Sequence, residues 1–270
     1  MPELPEVETS RRGIEPHIVD ATISRVIIRE RRLRWPVAPA VDRNLPGEVV
    51  SSVGRRAKYL LINTDSGSAI LHLGMSGSVC IVERDTPAGV HDHVDIEFES
   101  GQTLRFRDPR RFGSLHWSED PLSHPLLSNL GPEPLGDEFD GNYLWQKSRH
   151  RKVSVKQFIM NANIVVGVGN IYASESLFTA GINPRRAAGR IARQRYDILA
   201  DAIKDVLSKA IAAGGTTLRD FYGGSGEAGY FQQQLEAYGR EDEPCRRCNT
   251  PITAIVQGQR STYYCKSCQT

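Results

Sequence analysis

Across residues 21–117 the apolar positions fall in short, partly alternating runs. Examples are Ile23-Ser24-Arg25-Val26-Ile27-Ile28, Ala69-Ile70-Leu71-His72-Leu73, Val94-Asp95-Ile96-Glu97-Phe98 and Thr103-Leu104-Arg105-Phe106. Clusters of Gly, Pro, Asp and Ser separate them, as expected between strands. This spacing predicts an antiparallel sandwich or barrel-like sheet. Ahead of it, residues 5–16 place a proline first, acids in the first turn and arginines later, which predicts a short helix. Residues 121–141 hold four prolines and three glycines and read as a linker between domains. Beyond the linker the pattern turns helical, over 143–149, 155–161, 171–180 and 191–213. Gly223-Gly224-Ser225-Gly226 reads as a flexible loop, and the tail from Cys245 to Cys268 as a small module of its own. There is no internal repeat and no low-complexity segment.

Length and composition narrow the class. A chain of 270 residues can bury a substantial core in one or two domains. No apolar stretch approaches the roughly 20 residues of a membrane span. No cationic start leads into an apolar run, so the expected compartment is the cytosol. Of five cysteines, four lie within the last 26 residues, and in a reducing compartment that favours metal over disulfides. The net charge of +2 hides an asymmetry: residues 141–196 contain ten Lys/Arg and one acid, Glu175, so this segment is +9 and the remainder −7. A one-sided run of that length points to a polyanion, nucleic acid first.

Several short motifs carry chemistry. Cys245-x2-Cys248 and Cys265-x2-Cys268, sixteen residues apart, have the spacing of a four-thiolate zinc site closed across a β-hairpin. The expected hairpin tip, Gln257-Gly258-Gln259-Arg260, would present an arginine to phosphate. Cys80 stands apart and is expected to be an inert, buried thiol.

At the other end, Met1-Pro2-Glu3 would become a free secondary amine once Met1 is trimmed. An α-amino group titrates near about 7.7–8, so it is partly unprotonated at neutral pH and nucleophilic. Glu3 beside it could move protons. The plainer alternative is that Pro2 starts a loop and Pro5 opens a helix.

Val165-Val166-Gly167-Val168-Gly169-Asn170-Ile171-Tyr172 superficially matches a dinucleotide fingerprint, but Tyr172 occupies the third glycine position and no acid ends a strand about 20 residues on. An Asn-capped helix N-terminus able to hold a phosphate is the better reading. Two turns, His72 to Gly77 and Asp108 to Gly113, carry Met75, Arg110 and Phe112, side chains able to wedge into a duplex when a base is expelled. His91 and His93 lack a third metal ligand and fit a phosphate contact or a satisfied surface histidine.

In this order, Pro2 to Glu8, Arg55 to Leu60, His72 to Gly77, Asp108 to Gly113, Val166 to Ser176, Gly215 to Leu218 and the four-cysteine hairpin resemble the bacterial formamidopyrimidine-DNA glycosylases over essentially the whole chain. The resemblance implies an α+β, multidomain fold: an N-terminal antiparallel β-sandwich (1–130), a helix–two-turn–helix domain (131–235) and a zinc-finger hairpin (236–270). It implies a monomer that repairs duplex DNA by removing oxidised purines, chiefly 8-oxoguanine and formamidopyrimidines, and then cleaving the abasic site.

By that resemblance Pro2 is the Schiff-base nucleophile and Glu3 assists sugar-ring opening. Lys58 donates a proton and contacts phosphate in β-elimination, and Arg260 grips phosphates and assists δ-elimination. His72, His91, Arg110, Arg151 and Asn170 are implied DNA contacts. Met75, Arg110 and Phe112 fill the gap left by the flipped nucleotide, the loop at 216–230 covers the flipped base, and Lys156 approaches the lesion. Cys245, Cys248, Cys265 and Cys268 hold one structural Zn2+. Three alternatives predict different behaviour: an oxidised-pyrimidine glycosylase of the same superfamily, a non-enzymatic zinc-finger DNA-binding protein, and a catalytically retired member.

Overall fold

The computed structural model describes residues 2–214 and 235–270. Gly215 to Leu218, the glycine loop at 223–226 and the 216–230 cover therefore lie outside the described residues. In chain order the elements are α1 (Leu4–Ile18), β1 (Ile23–Ile28), α2 (Pro39–Asn44), β2 (Ser52–Arg56), β3 (Tyr59–Asn63), β4 (Ser68–His72), β5 (Ser78–Glu83), β6 (Asp92–Phe98), β7 (Gln102–Arg107), β8 (Ser114–Ser118), α3 (Gly141–Ser148), α4 (Val155–Ile159), α5 (Asn170–Thr179), α6 (Arg193–Ala212), β9 (Ile252–Gln257) and β10 (Arg260–Cys265). They form two compact units, one covering residues 2–128 and the other 129–213 with 235–270. Among the described residues no helix is long and apolar enough to cross a membrane.

The first unit is the sandwich. Two antiparallel four-stranded sheets have the orders β1-β6-β7-β5 and β2-β3-β4-β8. Alternation along the strands turns one apolar set inward from each sheet. Val94, Ile96, Leu104 and Phe106 thus share one core with Leu60, Ile62, Leu71 and Leu115. Helix α1 adds Val7, Ile14 and Ile18 to the same core. Its start is firmly specified: Pro5 sits in the first turn and Glu3 and Glu6 form a reciprocal capping box, the Glu3 N–H donating to Glu6 Oε2 at 2.8 Å.

The second unit packs α3 to α6 around Tyr172, Leu177, Tyr196, Leu199 and Ile203, while β9 and β10 make the terminal hairpin. The expected linker at 121–141 is only partly a linker. Proline and glycine prevent a regular element there, but not packing: Phe139 is fully buried, and Gly131 donates its N–H to Ala162 O at 2.8 Å. A Cβ at Gly131 would stand 2.7 Å from the Ile164 backbone, so the close approach requires glycine.

Candidate active site and nucleic-acid interface

In the first unit, Pro2 and Glu3 are the last residues before α1, and both are buried. Further along that helix, the Glu8 carboxylate takes Arg11 (3.1 Å), Arg12 (2.9 Å) and, across to β2, Arg55 (3.0 Å). Burial pushes Glu8 up, but the three guanidiniums outweigh it and the group titrates below the ordinary carboxylate range. Arg55 also donates to Ala57 O at 2.9 Å. One carboxylate therefore joins the N-terminal helix to the tight β2–β3 connection, Ala57-Lys58, in which Ala57 adopts φ 55°. Lys58, half-buried, follows that strained residue and precedes Tyr59, whose ring lies 4.8 Å from His72.

His72 is held neutral. Burial, then the charges of Lys58 and Arg34, lower it to about 4. Its Nδ1 accepts the Gly74 N–H at 3.0 Å, which leaves the ring proton on Nε2 as a donor. The native state thus binds fewer protons than the unfolded chain between about pH 4 and 6.5, so this group's contribution to stability is complete above pH 6.5 and fades as pH falls toward 4. Replacing His72 with Gln should flatten the acid limb of a stability-against-pH curve measured by urea unfolding; an identical acid limb would show that the ring is not held neutral.

The two turns that carry Met75, Arg110 and Phe112 are built as one object around Asp108, which has no solvent exposure. Its carboxylate accepts Ser76 Oγ at 3.0 Å from the first turn and the Gly113 N–H at 2.7 Å from the second. The Arg110 N–H approaches Oδ1 at 3.3 Å, and His93 Nε2 meets the Asp108 carbonyl at 2.8 Å. Gly74 (φ 69°) lies so close to the second turn that a Cβ there would meet Gly113 N at 2.4 Å.

The Arg110 guanidinium stacks 4.9 Å over the Phe112 ring, and that ring remains 41% exposed. An apolar ring left in water beside a cation is the arrangement an intercalating wedge needs. Met75 is half-buried. Asp108→Ala would leave the Ser76 hydroxyl and the Gly113 N–H buried without an acceptor, at about 1–3 kcal/mol each. Denaturant unfolding should show a loss of about 2–6 kcal/mol; a loss below about 1 kcal/mol would mean the turns do not depend on this carboxylate.

His91 and His93 have separate roles. His93 is 6% exposed and bonded inside the sandwich, whereas His91 is half-exposed and among the described residues engages through its carbonyl, which accepts the Asp108 N–H at 2.9 Å. Cys80, expected to be buried, is half-buried, and burial raises its thiol above the usual value.

In the second unit Asn170 is not the helix cap that the sequence suggests. The N-cap of α5 is Gly169, and Asn170 is the first helical residue. Its amide turns away from the cap: Nδ2 donates to Ser261 O at 3.0 Å and Oδ1 accepts Lys156 Nζ at 2.6 Å. Lys156, expected near a lesion, is 1% exposed and also donates to Ser261 O (3.0 Å) and Thr262 Oγ1 (2.8 Å). A buried ammonium is tolerated only with such a set of acceptors, so its work is to bind α4 to α5 and to the hairpin strand that begins with Arg260.

At the hairpin tip Gly258 (φ 56°) and Gln259 (φ 61°) form the two-residue, positive-φ connection that the strand twist favours. A Cβ on Gly258 would meet Gln157 Nε2 at 2.5 Å, so α4 supports the tip from below. Arg260 itself is exposed. Arg151 is exposed too and lines an open basic pocket of about 630 Å3 with Lys152 and Arg190.

Sequence patterning missed Glu175, the lone acid of the basic run. It is 5% exposed and accepts three successive backbone N–H groups, those of Glu236, Ala237 and Tyr238, at 2.8–3.0 Å. Its isolation among ten cations was the available signal.

The four cysteine sulfurs lie within 4.8 Å of one another, with Cys245–Cys268 at 4.0 Å and Cys248–Cys265 at 3.5 Å. A tetrahedron with Zn–S bonds of about 2.3 Å has edges of about 3.8 Å, so the set fits one zinc ion. Hydrogen bonds from Thr250 bring Cys248 down to about 6, and its neighbouring sulfur, Cys248 foremost, pushes Cys268 up to about 12. Four thiolates this close require a dication, and the site is a structural zinc centre.

Three family models match the chain: the formamidopyrimidine-DNA glycosylase N-terminal domain over residues 1–115, the H2TH domain of the same enzymes over 130–222, and a zinc finger found in them and in IleRS over 242–270. Curated formamidopyrimidine-DNA glycosylases of Stutzerimonas stutzeri (strain A1501) and Ectopseudomonas mendocina (strain ymp) are 58% and 60% identical over 269 residues, covering all of both chains. The chain belongs to the formamidopyrimidine-DNA glycosylase family.

Among solved structures, the Fpg protein of Thermus thermophilus is 33% identical, covers 99% of this chain and 98% of its own, and has a TM-score of 0.89. A Lactococcus lactis Fpg in complex with N7-benzyl-Fapy-dG-containing DNA is 32% identical over the whole of both chains, with a TM-score of 0.90. Within the family frame the sandwich, the helical domain and the four-cysteine zinc hairpin are the expected parts, and the chain is a DNA glycosylase of that family.

Proposed function

We propose that this chain excises oxidised purines, 8-oxoguanine and formamidopyrimidines, from duplex DNA and cleaves the strand at the resulting abasic site. Trimming of Met1 in the cytosol frees the Pro2 nitrogen. That amine forms a bond to C1′ as the glycosidic bond to the base breaks, and Glu3 exchanges the protons needed for base departure and sugar-ring opening. The iminium so formed acidifies C2′. Loss of a C2′ proton expels the 3′ phosphate, and a second elimination expels the 5′ phosphate. Lys58 protonates and grips phosphate in the first elimination, and Arg260 grips phosphate and assists the second.

Flipping costs a few kcal/mol, offset by Met75, Arg110 and Phe112 in the vacated space. His72, His91, Arg151 and Asn170 hold backbone phosphates, the zinc ion holds the hairpin, and the chain acts as a monomer. In the division into 1–130, 131–235 and 236–270, the first part carries the Pro2 nucleophile, Glu3 and Lys58, the second carries Arg151 and Asn170, and the third carries Arg260 on the zinc hairpin.

The observation that carries the reading is the placement of Pro2 directly before a glutamate kept 3% exposed at the helix start. Excision assays on duplexes carrying 8-oxoguanine, a formamidopyrimidine or an oxidised pyrimidine, each opposite its normal partner, test the substrate class. Fastest release of the two purine lesions is expected; a preference for the pyrimidine would reassign the chain to the other branch.

A further inference from the structure

Arg34 is unlike its neighbours in the chain. Arg29, Arg31 and Arg32 hold the carboxylates of Asp95, Asp42 and Glu30 at 2.5–2.8 Å. Arg34 is exposed and makes no ion pair with any described residue. It is nonetheless held in place. Its guanidinium lies 4.8 Å over the Trp35 ring, and that ring packs 5.8 Å from His116. Its main-chain N–H donates to Gly113 O at 3.0 Å.

Those contacts place it at one end of a sheet. Gly113 leads into β8, where Ser114 pairs with His72 of β4, and His72 pairs with Tyr59 of β3, the residue after Lys58. Arg34, His72 and Lys58 therefore share the same end of three adjoining segments. The same proximity shows in the titration of His72 and Tyr59, each of which feels the Arg34 charge. An oriented guanidinium, an ammonium and a neutral Nε2–H donor form a set with donors only, suited to phosphate oxygens.

We propose that Arg34 is a DNA-backbone contact, forming one phosphate-binding rim with His72 and Lys58. The proposal rests on the DNA-repair reading above. A structural arginine in this sandwich finds carboxylates or carbonyls: Arg105, 4% exposed, bonds Asp95 and the carbonyls of Thr86 and Pro87. Arg34 instead stacks its charge on an aromatic ring, and its guanidinium N–H groups meet no acceptor among the described residues. Through Gly113 it also joins the turn that carries Phe112, so a phosphate held here sits on the body that carries the wedge.

The test is the dissociation constant of the zinc-loaded protein for a duplex with a tetrahydrofuran abasic analogue, measured across a KCl series. Each phosphate cation lost removes about 0.9 from the slope of log affinity against log salt. Arg34→Gln should lower the slope by about that amount and weaken lesion-containing and lesion-free duplexes alike. Arg34→Lys should keep the parent slope. Arg25→Gln, a change at an exposed arginine paired with Glu97, should leave the slope unaltered. A slope in Arg34→Gln equal to the parent's would overturn the proposal, whether or not the unfolding midpoint moves. A parent protein with no salt dependence would overturn the DNA reading itself, which separates the two failures.

Discussion

Glu3→Gln should lower single-turnover excision of 8-oxoguanine by about 10²–10⁴-fold, the usual worth of a positioned proton-transfer group. The substitution preserves shape. The Glu3 N–H still meets Glu6 Oε2, and an amide oxygen can still accept at the helix start, so α1 keeps its cap. What disappears is a group able to gain and lose a proton beside the Pro2 nitrogen. Affinity for an abasic-analogue duplex should therefore stay within about tenfold of the parent, a change of at most about 1.4 kcal/mol. Excision within threefold of the parent would remove Glu3 from the chemistry. A parallel collapse of affinity and helical signal would make it a capping residue alone.

Zinc removal should be the largest structural change available to this chain. The hairpin has little core of its own: Ile252, Cys245 and Cys265 meet Phe178 and Ala237 in a small cluster. A module this small needs the metal as a staple, and apparent zinc-binding energies of about 10–16 kcal/mol in finger peptides are folding energies. Without it β9 and β10 should melt, and Arg260 would lose its fixed position. Lys156 would lose two of its acceptors, Ser261 O and Thr262 Oγ1, and a buried ammonium short of partners destabilises α4 and α5 as well.

Chelated protein and Cys248→Ser should both bind abasic-analogue duplex at least about tenfold more weakly, about 1.4 kcal/mol. The sandwich unfolding transition should persist in both. Undiminished DNA affinity in protein shown by elemental analysis to be metal-free would contradict the role of the hairpin.

Much of this architecture was legible in the sequence because it follows local periodicity. The run at 94–98 alternates cleanly and lies in β6, the run at 23–28 matches β1, the paired CxxC motifs specified the zinc site, and the hairpin tip fell within 257–260 as expected. Non-local chemistry was not legible. Lys156 is buried by acceptors 105 and 106 residues away, which no window along the chain can reveal. Asn170 beside Gly169 suggested an asparagine cap, but the asparagine side chain is claimed by Lys156 and Ser261, so the glycine takes the cap position. Arg34 was hidden among four arginines because only the fold shows which of them find carboxylates. Asp108 read as the start of a turn, and its role in joining two turns appeared only once Ser76 and Gly113 were in space.

The most direct test of the account is borohydride trapping on a duplex carrying 8-oxoguanine opposite cytosine, followed by mass mapping of the cross-link. The account predicts a covalent adduct on the Pro2 nitrogen of protein that has lost Met1. Absence of any adduct in protein confirmed to begin at Pro2, or an adduct mapped to a lysine instead, would contradict it.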